Sequence, residues 1–139
     1  MEQRFGIRYG AIAAILAAVV TQASAAGAVQ NPPAPSYTVL QAHHGQTLYY
    51  EQCAECHGGM LEGQIGPALA GGDGNVQWET VSYVWTYVTA HMPAGNAGGL
   101  SLSDYADILA FLLQEHGHVP GRARLTPKIA MESEAYFGL

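Results

Sequence analysis

Three stretches of the chain predict helices, and in the second and third of them apolar residues recur at three- and four-residue steps. The first helix is expected over about residues 44–53 and the second over about residues 79–90. The third is expected to begin near Ser101 and has the longest apolar stripe. That stripe consists of Tyr105, Ile108, Leu109, Leu112 and Leu113.

The third helix also has the clearest end signals in the chain. Ser101 and Asp104 have the spacing of a capping box, and Leu100 and Tyr105 are placed as a hydrophobic staple. Gly117 is a natural stop for the helix. No alternating run long enough for a sheet occurs, and the sequence contains no repeat. The predicted class is therefore mostly α.

The beginning of the chain has the pattern of an export signal. Residues 1–25 carry Arg4 and Arg8 ahead of a short apolar stretch and end at a site of small residues. The apolar stretch is shorter than the roughly 20 residues that a membrane-spanning helix needs. We therefore expect cleavage near Ala25 or Ala28 and a mature protein in the periplasm.

Three further segments follow the predicted signal peptide. Residues 26–40 contain three prolines and predict an extended N-terminal arm. Residues 41–117 contain the predicted helices and form the expected domain. For the tail, residues 118–139, three arrangements are open: it is solvated, it lies against the acidic body of its own chain, or it docks a partner.

Charge is distributed unevenly along the chain, whose formal net charge is −6 at pH 7. No Lys or Arg occurs between Tyr9 and Gly121, whereas Arg122, Arg124 and Lys128 all lie in the tail. An acidic body excludes nucleic acid as a natural partner and disfavours anionic membranes. It favours a partner with a basic docking face, although an acidic surface also serves solubility alone.

The chain has two cysteines, and both lie in the run Cys53-Ala54-Glu55-Cys56-His57. A Cys-x-x-Cys-His run is typical of c-type haem attachment, in which two thiols form thioether bonds and the histidine binds iron. A redox-active pair would need a βαβ setting, and a structural zinc site would need four protein ligands. The motif predicts one covalent haem c with His57 as an iron ligand.

The residue on the other axial position decides what the iron can do. Met92 follows the second helix, precedes a glycine-rich turn and is stiffened by Pro93, so it is the favoured ligand. His91 is the runner-up. The remaining candidates lie too close to the first ligand, in the tail or ahead of the first helix: Met60, Met131, His43 and His44.

Over about residues 41–117 the chain resembles the class I c-type cytochromes. Gly45 and Tyr49 stand where that family has a small residue and an aromatic residue on its first helix. Ile108 and Phe111 match the apolar and aromatic positions of its last helix, which crosses the first. The resemblance implies a small cytochrome c fold, with three to five helices and glycine-rich loops wrapped around one covalent haem.

Two loops complete the resemblance. The segment Gly66-Pro67-Ala68-Leu69 is similar to the family's Gly-Pro-x-Leu segment, and Met92-Pro93 is similar to its ligand loop. The resemblance implies that the Pro67 carbonyl accepts the Nδ1 proton of His57 and fixes the orientation of the ring. It also implies that Gly45 lets the first and last helices cross closely.

Residues 91–121 are further similar to cytochromes that serve periplasmic quinoprotein dehydrogenases. The function implied is that of a periplasmic one-electron carrier rather than an enzyme. Its donor would be a dehydrogenase, and its acceptor a terminal oxidase, another cytochrome or a different acceptor. The alternatives are a haem c subunit of a periplasmic dehydrogenase complex and an open-site haem enzyme or gas sensor. Membrane association is expected only through a retained signal segment or a partner.

Overall fold

A computed structural model describes Met1 and residues 31–139 of the chain. Apart from Met1, the predicted signal peptide lies outside the described residues, as do residues 26–30 of the predicted arm. The described part is helical, which confirms the predicted class, and none of its helices is long and apolar enough to cross a membrane. Its elements are α1 (Val39–Gln52), α2 (Ala54–His57), a 3₁₀ turn (Val76–Trp78), α3 (Val81–His91), α4 (Leu102–Glu115) and α5 (Pro127–Glu132).

Helix α1 begins at Val39 rather than near residue 44, so the predicted start was wrong. The Thr38 hydroxyl caps the helix by accepting a hydrogen bond from the Gln41 backbone N–H at 3.2 Å. Val39 and Leu40 are both exposed. The two buried residues of the first turn are the polar Gln41 and the small Ala42. Hydrophobic periodicity therefore did not reveal this turn.

Helix α4 has the ends that the sequence predicts. The Ser101 hydroxyl accepts a hydrogen bond from the Asp104 backbone N–H at 3.1 Å. At the other end, the Gly117 N–H donates to the Gln114 carbonyl and the His118 N–H donates to the Leu113 carbonyl. Gly117 has a φ of +89°, which a residue without a Cβ adopts at low cost. These two bonds form a Schellman motif and end the helix.

Helices α1 and α4 make the most extensive contact between helices of the described chain. They approach so closely at Gly45 that a Cβ there would lie 1.8 Å from the Asp107 carbonyl oxygen. The predicted close crossing at Gly45 is therefore confirmed. One turn further along, the rings of Tyr49 and Phe111 pack together with their centroids 5.3 Å apart.

The side chain of Asp107 ties several segments together at this crossing. Its buried carboxylate accepts hydrogen bonds from Gln41 Nε2 and from an Arg124 guanidinium nitrogen, each at 2.7 Å. The Nδ1 atom of His44 lies 2.8 Å from the other carboxylate oxygen. A buried carboxylate needs such partners because its desolvation is otherwise uncompensated. The crossing is thereby linked to the tail through Arg124.

The arm and the tail both contribute to the hydrophobic core. Tyr37 of the arm is fully buried, and its hydroxyl donates a hydrogen bond to the carbonyl of His118. Leu125, Ala130 and Phe137 of the tail are buried in the same core. Of the three arrangements open for residues 118–139, the structure has the one in which the tail lies against its own domain.

The tail also completes the hydrogen bonding of α3. The first backbone N–H groups of a helix have no partner within the helix. In α3, the Val81 N–H donates to the Ala135 carbonyl at 2.9 Å, and the Ser82 N–H donates to the Ser133 carbonyl at 3.0 Å. The tail thereby fixes the N-terminal end of a helix whose C-terminal end carries Met92.

We expect Gly45→Ala to lower the free energy of unfolding of the haem-loaded protein by about 2 kcal/mol, the usual cost of an overpacked core. The added methyl would meet backbone atoms of Asp107, which cannot rotate away as a side chain can. Denaturant unfolding measures the change. Gly72→Ala is the control, since a Cβ at that position meets nothing within 4 Å. Equal stability of the Gly45 variant and the wild type would contradict the close crossing.

Candidate haem site

The Cys-x-x-Cys-His run lies at the junction of α1 and α2. Cys53 ends α1, with its N–H donating to the Tyr49 carbonyl at 2.8 Å. The single turn of α2 then carries Cys56 and His57, and the His57 N–H donates to the Cys53 carbonyl at 2.9 Å. The two cysteines and the histidine are therefore held on adjoining helical turns.

Both cysteines are half-buried. Burial, and to a lesser extent the neighbouring Cys56, raises the pKa of the Cys53 thiol to about 11. A redox-active Cys-x-x-Cys pair requires the opposite shift, because its nucleophile is a thiolate at neutral pH. The environment of Cys53 keeps the thiol neutral, which argues against thiol–disulfide chemistry.

The ring of His57 is buried, and its orientation is fixed by the following loop. Its Nδ1 atom lies 2.8 Å from the carbonyl oxygen of Pro67. Because a carbonyl oxygen only accepts, Nδ1 carries the proton and Nε2 keeps the lone pair that binds a metal. This is the geometry that the resemblance implied for Pro67.

Gly66 lets the loop pass directly over the histidine ring. A Cβ at Gly66 would lie 2.8 Å from His57 Cε1, closer than real contacts allow. Backbone bonds hold the loop in place: the Gly66 N–H donates to the Cys56 carbonyl, and the Gly63 N–H donates to the His57 carbonyl, each at 2.8 Å. The glycines of this segment therefore serve close approach to the ligand.

The hydroxyl of Tyr49 holds the start of the same loop. It donates a hydrogen bond to the Gly58 carbonyl at 2.7 Å. Burial is the main cause that raises the pKa of the Tyr49 phenol well above its usual range, and nearby acidic groups add to the shift. Tyr49 thus remains a neutral donor, and its place on α1 serves hydrogen bonding as well as core packing.

A cavity of about 540 Å³ opens beside the motif. It is in the size range of pockets that bury an organic ligand, and its lining is mostly apolar. The two cysteines, His57, Pro67 and Met92 all line it, so the structure brings together every site residue that the sequence proposed. The apolar lining comes chiefly from α3, α4 and the loop before α3: Leu69, Val76, Val84, Val88, Ile108 and Leu112.

Met92 is the one methionine of the described residues that lines this cavity. It ends α3, with its N–H donating to the Val88 carbonyl at 3.0 Å, and its carbonyl accepts a hydrogen bond from the Tyr105 hydroxyl at 2.5 Å. Met60 and Met131 are exposed and lie outside the cavity. The assignment of Met92 as an iron ligand stays a prediction.

The histidine candidates for the second ligand position have other contacts. His91, the runner-up, is exposed, and its ring stacks on Tyr87 with the centroids 4.7 Å apart. His43 lies exposed on α1, and His44 contacts Asp107. None of the three lines the cavity.

Comparison with known proteins identifies the family. A family model described as cytochrome c oxidase, cbb3-type, subunit III matches residues 40–112, from α1 into α4. The chain belongs to this cytochrome family. The cavity has the donor set that a c-type haem needs, and the cytochrome carries one covalent haem c attached through Cys53 and Cys56. It is an electron-transfer haem protein of class I.

One solved structure supports the same assignment. The cytochrome is similar to a chain in the crystal structure of the sulfane dehydrogenase SoxCD from Paracoccus pantotrophus, with 35% sequence identity and a TM-score of 0.57. The similarity covers 68% of the cytochrome and 52% of that chain, so the cytochrome spans about half of its length. No curated protein matches the cytochrome.

The family rules out the redox-active and zinc interpretations of the motif. Within residues 31–139, no group of three or more His, Cys, Asp and Glu side chains could hold a metal ion.

The site also contains a polar contact that the sequence did not reveal, the hydrogen bond from the Tyr105 hydroxyl to the Met92 carbonyl. Periodicity identified Tyr105 only as part of an apolar stripe, and no sequence signal shows where a phenol oxygen points.

We expect Gly66→Ala to reduce the amount of haem attached per chain and to lower the melting temperature of the haem-loaded protein. The new methyl would push the His57 ring away from the position set by Pro67. Haem absorbance per protein and thermal unfolding measure the two effects. Gly72→Ala is again the control, with open space around the added Cβ. Full haem loading and unchanged melting of the Gly66 variant would contradict the close contact.

Proposed function

We propose that the protein is a periplasmic one-electron carrier whose haem iron is ligated by His57 and Met92. It takes electrons from a dehydrogenase and passes them to a terminal oxidase or another acceptor, and it catalyses no reaction of its own. The proposal includes removal of the signal segment near Ala25 or Ala28 on export. The subgroup of cytochromes serving quinoprotein dehydrogenases stays a prediction.

The position of Met92 is the observation that carries the proposal. Met92 and His57 come from different elements and line one apolar cavity with both cysteines. When bound there, the haem supplies one-electron chemistry by the change of its iron between ferric and ferrous states. A thioether ligand from Met92 would raise the reduction potential, and iron held by both His57 and Met92 would have no position left for a substrate. This supports a carrier over an open-site enzyme or gas sensor.

The residues around the cavity favour a partner of opposite charge. Glu55 and Glu79 line the cavity, and no residue of the tail does. Two of the tail cations are already paired, Arg124 with Asp107 and Lys128 with Glu132. The cavity side of the domain is therefore acidic, which suits a donor or acceptor with a basic docking face.

A second candidate function is that of a haem subunit in a dehydrogenase complex. The similarity to a chain of a sulfane dehydrogenase favours it. The iron ligands would be the same in both candidates. The two differ in whether the haem protein is permanently bound to a dehydrogenase. Purification of the native haem protein distinguishes them, because a subunit would elute with a dehydrogenase while a carrier would elute alone.

Met92→Ala tests the proposed ligand pair. We expect the ferric wild type to show a sulfur-to-iron charge-transfer band and its ferrous form to resist carbon monoxide. The variant should lose the band, bind carbon monoxide at once and have a lower midpoint potential, because a position on iron is opened. Absorption spectroscopy and a redox titration measure these changes.

Met60→Ala is the matched control, since Met60 is exposed and lies outside the cavity. It should keep the wild-type band and potential. A wild-type protein that binds carbon monoxide at once would contradict the proposal. So would a Met92→Ala variant with an unchanged spectrum, and His91→Ala would then be examined as the ligand variant.

The charge argument predicts a salt-dependent reaction with a basic redox partner. Raising the ionic strength from about 20 to about 200 mM should slow electron transfer by about tenfold, because screening weakens steering. A double Glu55→Gln, Glu79→Gln variant should react more slowly at low salt and lose part of this dependence. Glu115→Gln is the control because Glu115 does not line the cavity. Stopped-flow mixing gives the rates, and equal salt dependence in all three proteins would contradict docking at the cavity.

A further inference from the structure

We propose that Tyr105 is a positioning residue for Met92. Its hydroxyl ties the backbone of Met92 to helix α4 and so keeps the methionine side chain in the cavity. The inference rests on the proposed function, in which Met92 binds the iron. It adds a residue that acts on the iron through the ligand.

The contact is a single well-placed hydrogen bond in a buried setting. The Tyr105 phenol lines the cavity with only 2% of the residue exposed, and its oxygen lies 2.5 Å from the carbonyl oxygen of Met92. A tyrosine with an unused hydroxyl would be costly at such a position. The Met92 carbonyl is the partner that satisfies it.

Met92 needs such a tether because it lies where regular structure ends. Its N–H makes the last backbone bond of α3, to the Val88 carbonyl. The chain that follows, residues 94–99, is exposed and contains three glycines. The Gly98 N–H also donates to the Met92 carbonyl, at 3.2 Å, but it belongs to this exposed loop. Tyr105 is the contact that joins the carbonyl to a packed helix.

Helix α4 is suited to anchor the ligand. Its residues from Tyr105 to Leu113 are all buried, and its position is fixed by the crossing with α1 at Gly45. That crossing also sets α1, which leads into the haem-binding cysteines. Through Tyr105, the same pair of helices positions the methionine loop. The hydroxyl thereby limits how often Met92 leaves the iron.

Tyr105→Phe removes the hydroxyl and keeps the ring. The Met92 carbonyl retains its bond from Gly98, so the variant leaves no buried carbonyl without a donor. We expect the ferrous variant to bind carbon monoxide about fivefold faster than the wild type, since one hydrogen bond changes an equilibrium by about that factor. The charge-transfer band of the ferric protein should weaken. Stopped-flow kinetics and absorption spectra measure these effects.

Tyr37→Phe is the matched control. Tyr37 is fully buried and its hydroxyl also donates to a backbone carbonyl, that of His118, but it does not line the cavity. Its loss should lower the melting temperature and leave the carbon monoxide rate and the band unchanged. The comparison separates an effect on Met92 from a general loss of stability.

A double variant tests whether Tyr105 acts through the methionine. In a Met92→Ala background the iron is already open, so adding Tyr105→Phe should leave the carbon monoxide rate the same. The proposal that Tyr105 positions Met92 is wrong if the Tyr105→Phe variant binds carbon monoxide at the wild-type rate. It is also wrong if Tyr105→Phe speeds binding equally in the wild-type and Met92→Ala backgrounds. A wild type without the charge-transfer band would instead overturn Met92 ligation itself, and the two failures are thereby distinguished.

Discussion

The structure depends on the close crossing of α1 and α4 at Gly45. Because no side chain separates the two backbones there, Tyr49 and Phe111 pack together beside the crossing. Asp107 then binds donors from α1 and from the tail. The crossing fixes the relative position of α1 and α4, and the other segments pack against this pair of helices. From the crossing, α1 leads directly into the cysteine pair.

Hydrogen bonds between side chains and backbone carbonyls hold both of the residues proposed as iron ligands. On one side, the loop after the cysteines folds back so that the Pro67 carbonyl lies at His57 Nδ1. On the other side, the Tyr105 hydroxyl donates a hydrogen bond to the Met92 carbonyl. A small domain has little hydrophobic core with which to hold a large cofactor. Specific contacts from short loops therefore set the geometry, and the apolar cavity wall supplies the burial.

The tail and the described part of the arm, residues 31–40, are structural parts of this cytochrome. Tyr37 and Phe137 are buried together with the helices, and tail carbonyls complete the first turn of α3. Paired with Asp107 and Glu132, the tail cations Arg124 and Lys128 do little to offset the acidic surface near the cavity. The uneven distribution of charge along the sequence thus has a counterpart in the fold: within residues 31–139 the Lys and Arg side chains all lie in the tail, and acidic residues line the cavity.

The sequence by itself determined the features that depend on local spacing. The Cys-x-x-Cys-His run identified the haem, and the capping residues and Gly117 located α4, because such signals act over a few neighbouring residues. The start of α1 was missed because its large apolar residues, Val39 and Leu40, are exposed, whereas the buried Gln41 is polar. Only the tertiary structure decided that the tail packs on its own domain and that the Tyr105 hydroxyl reaches Met92. Both outcomes depend on contacts between segments distant in the chain, and a linear pattern of apolar residues does not record which of them meet.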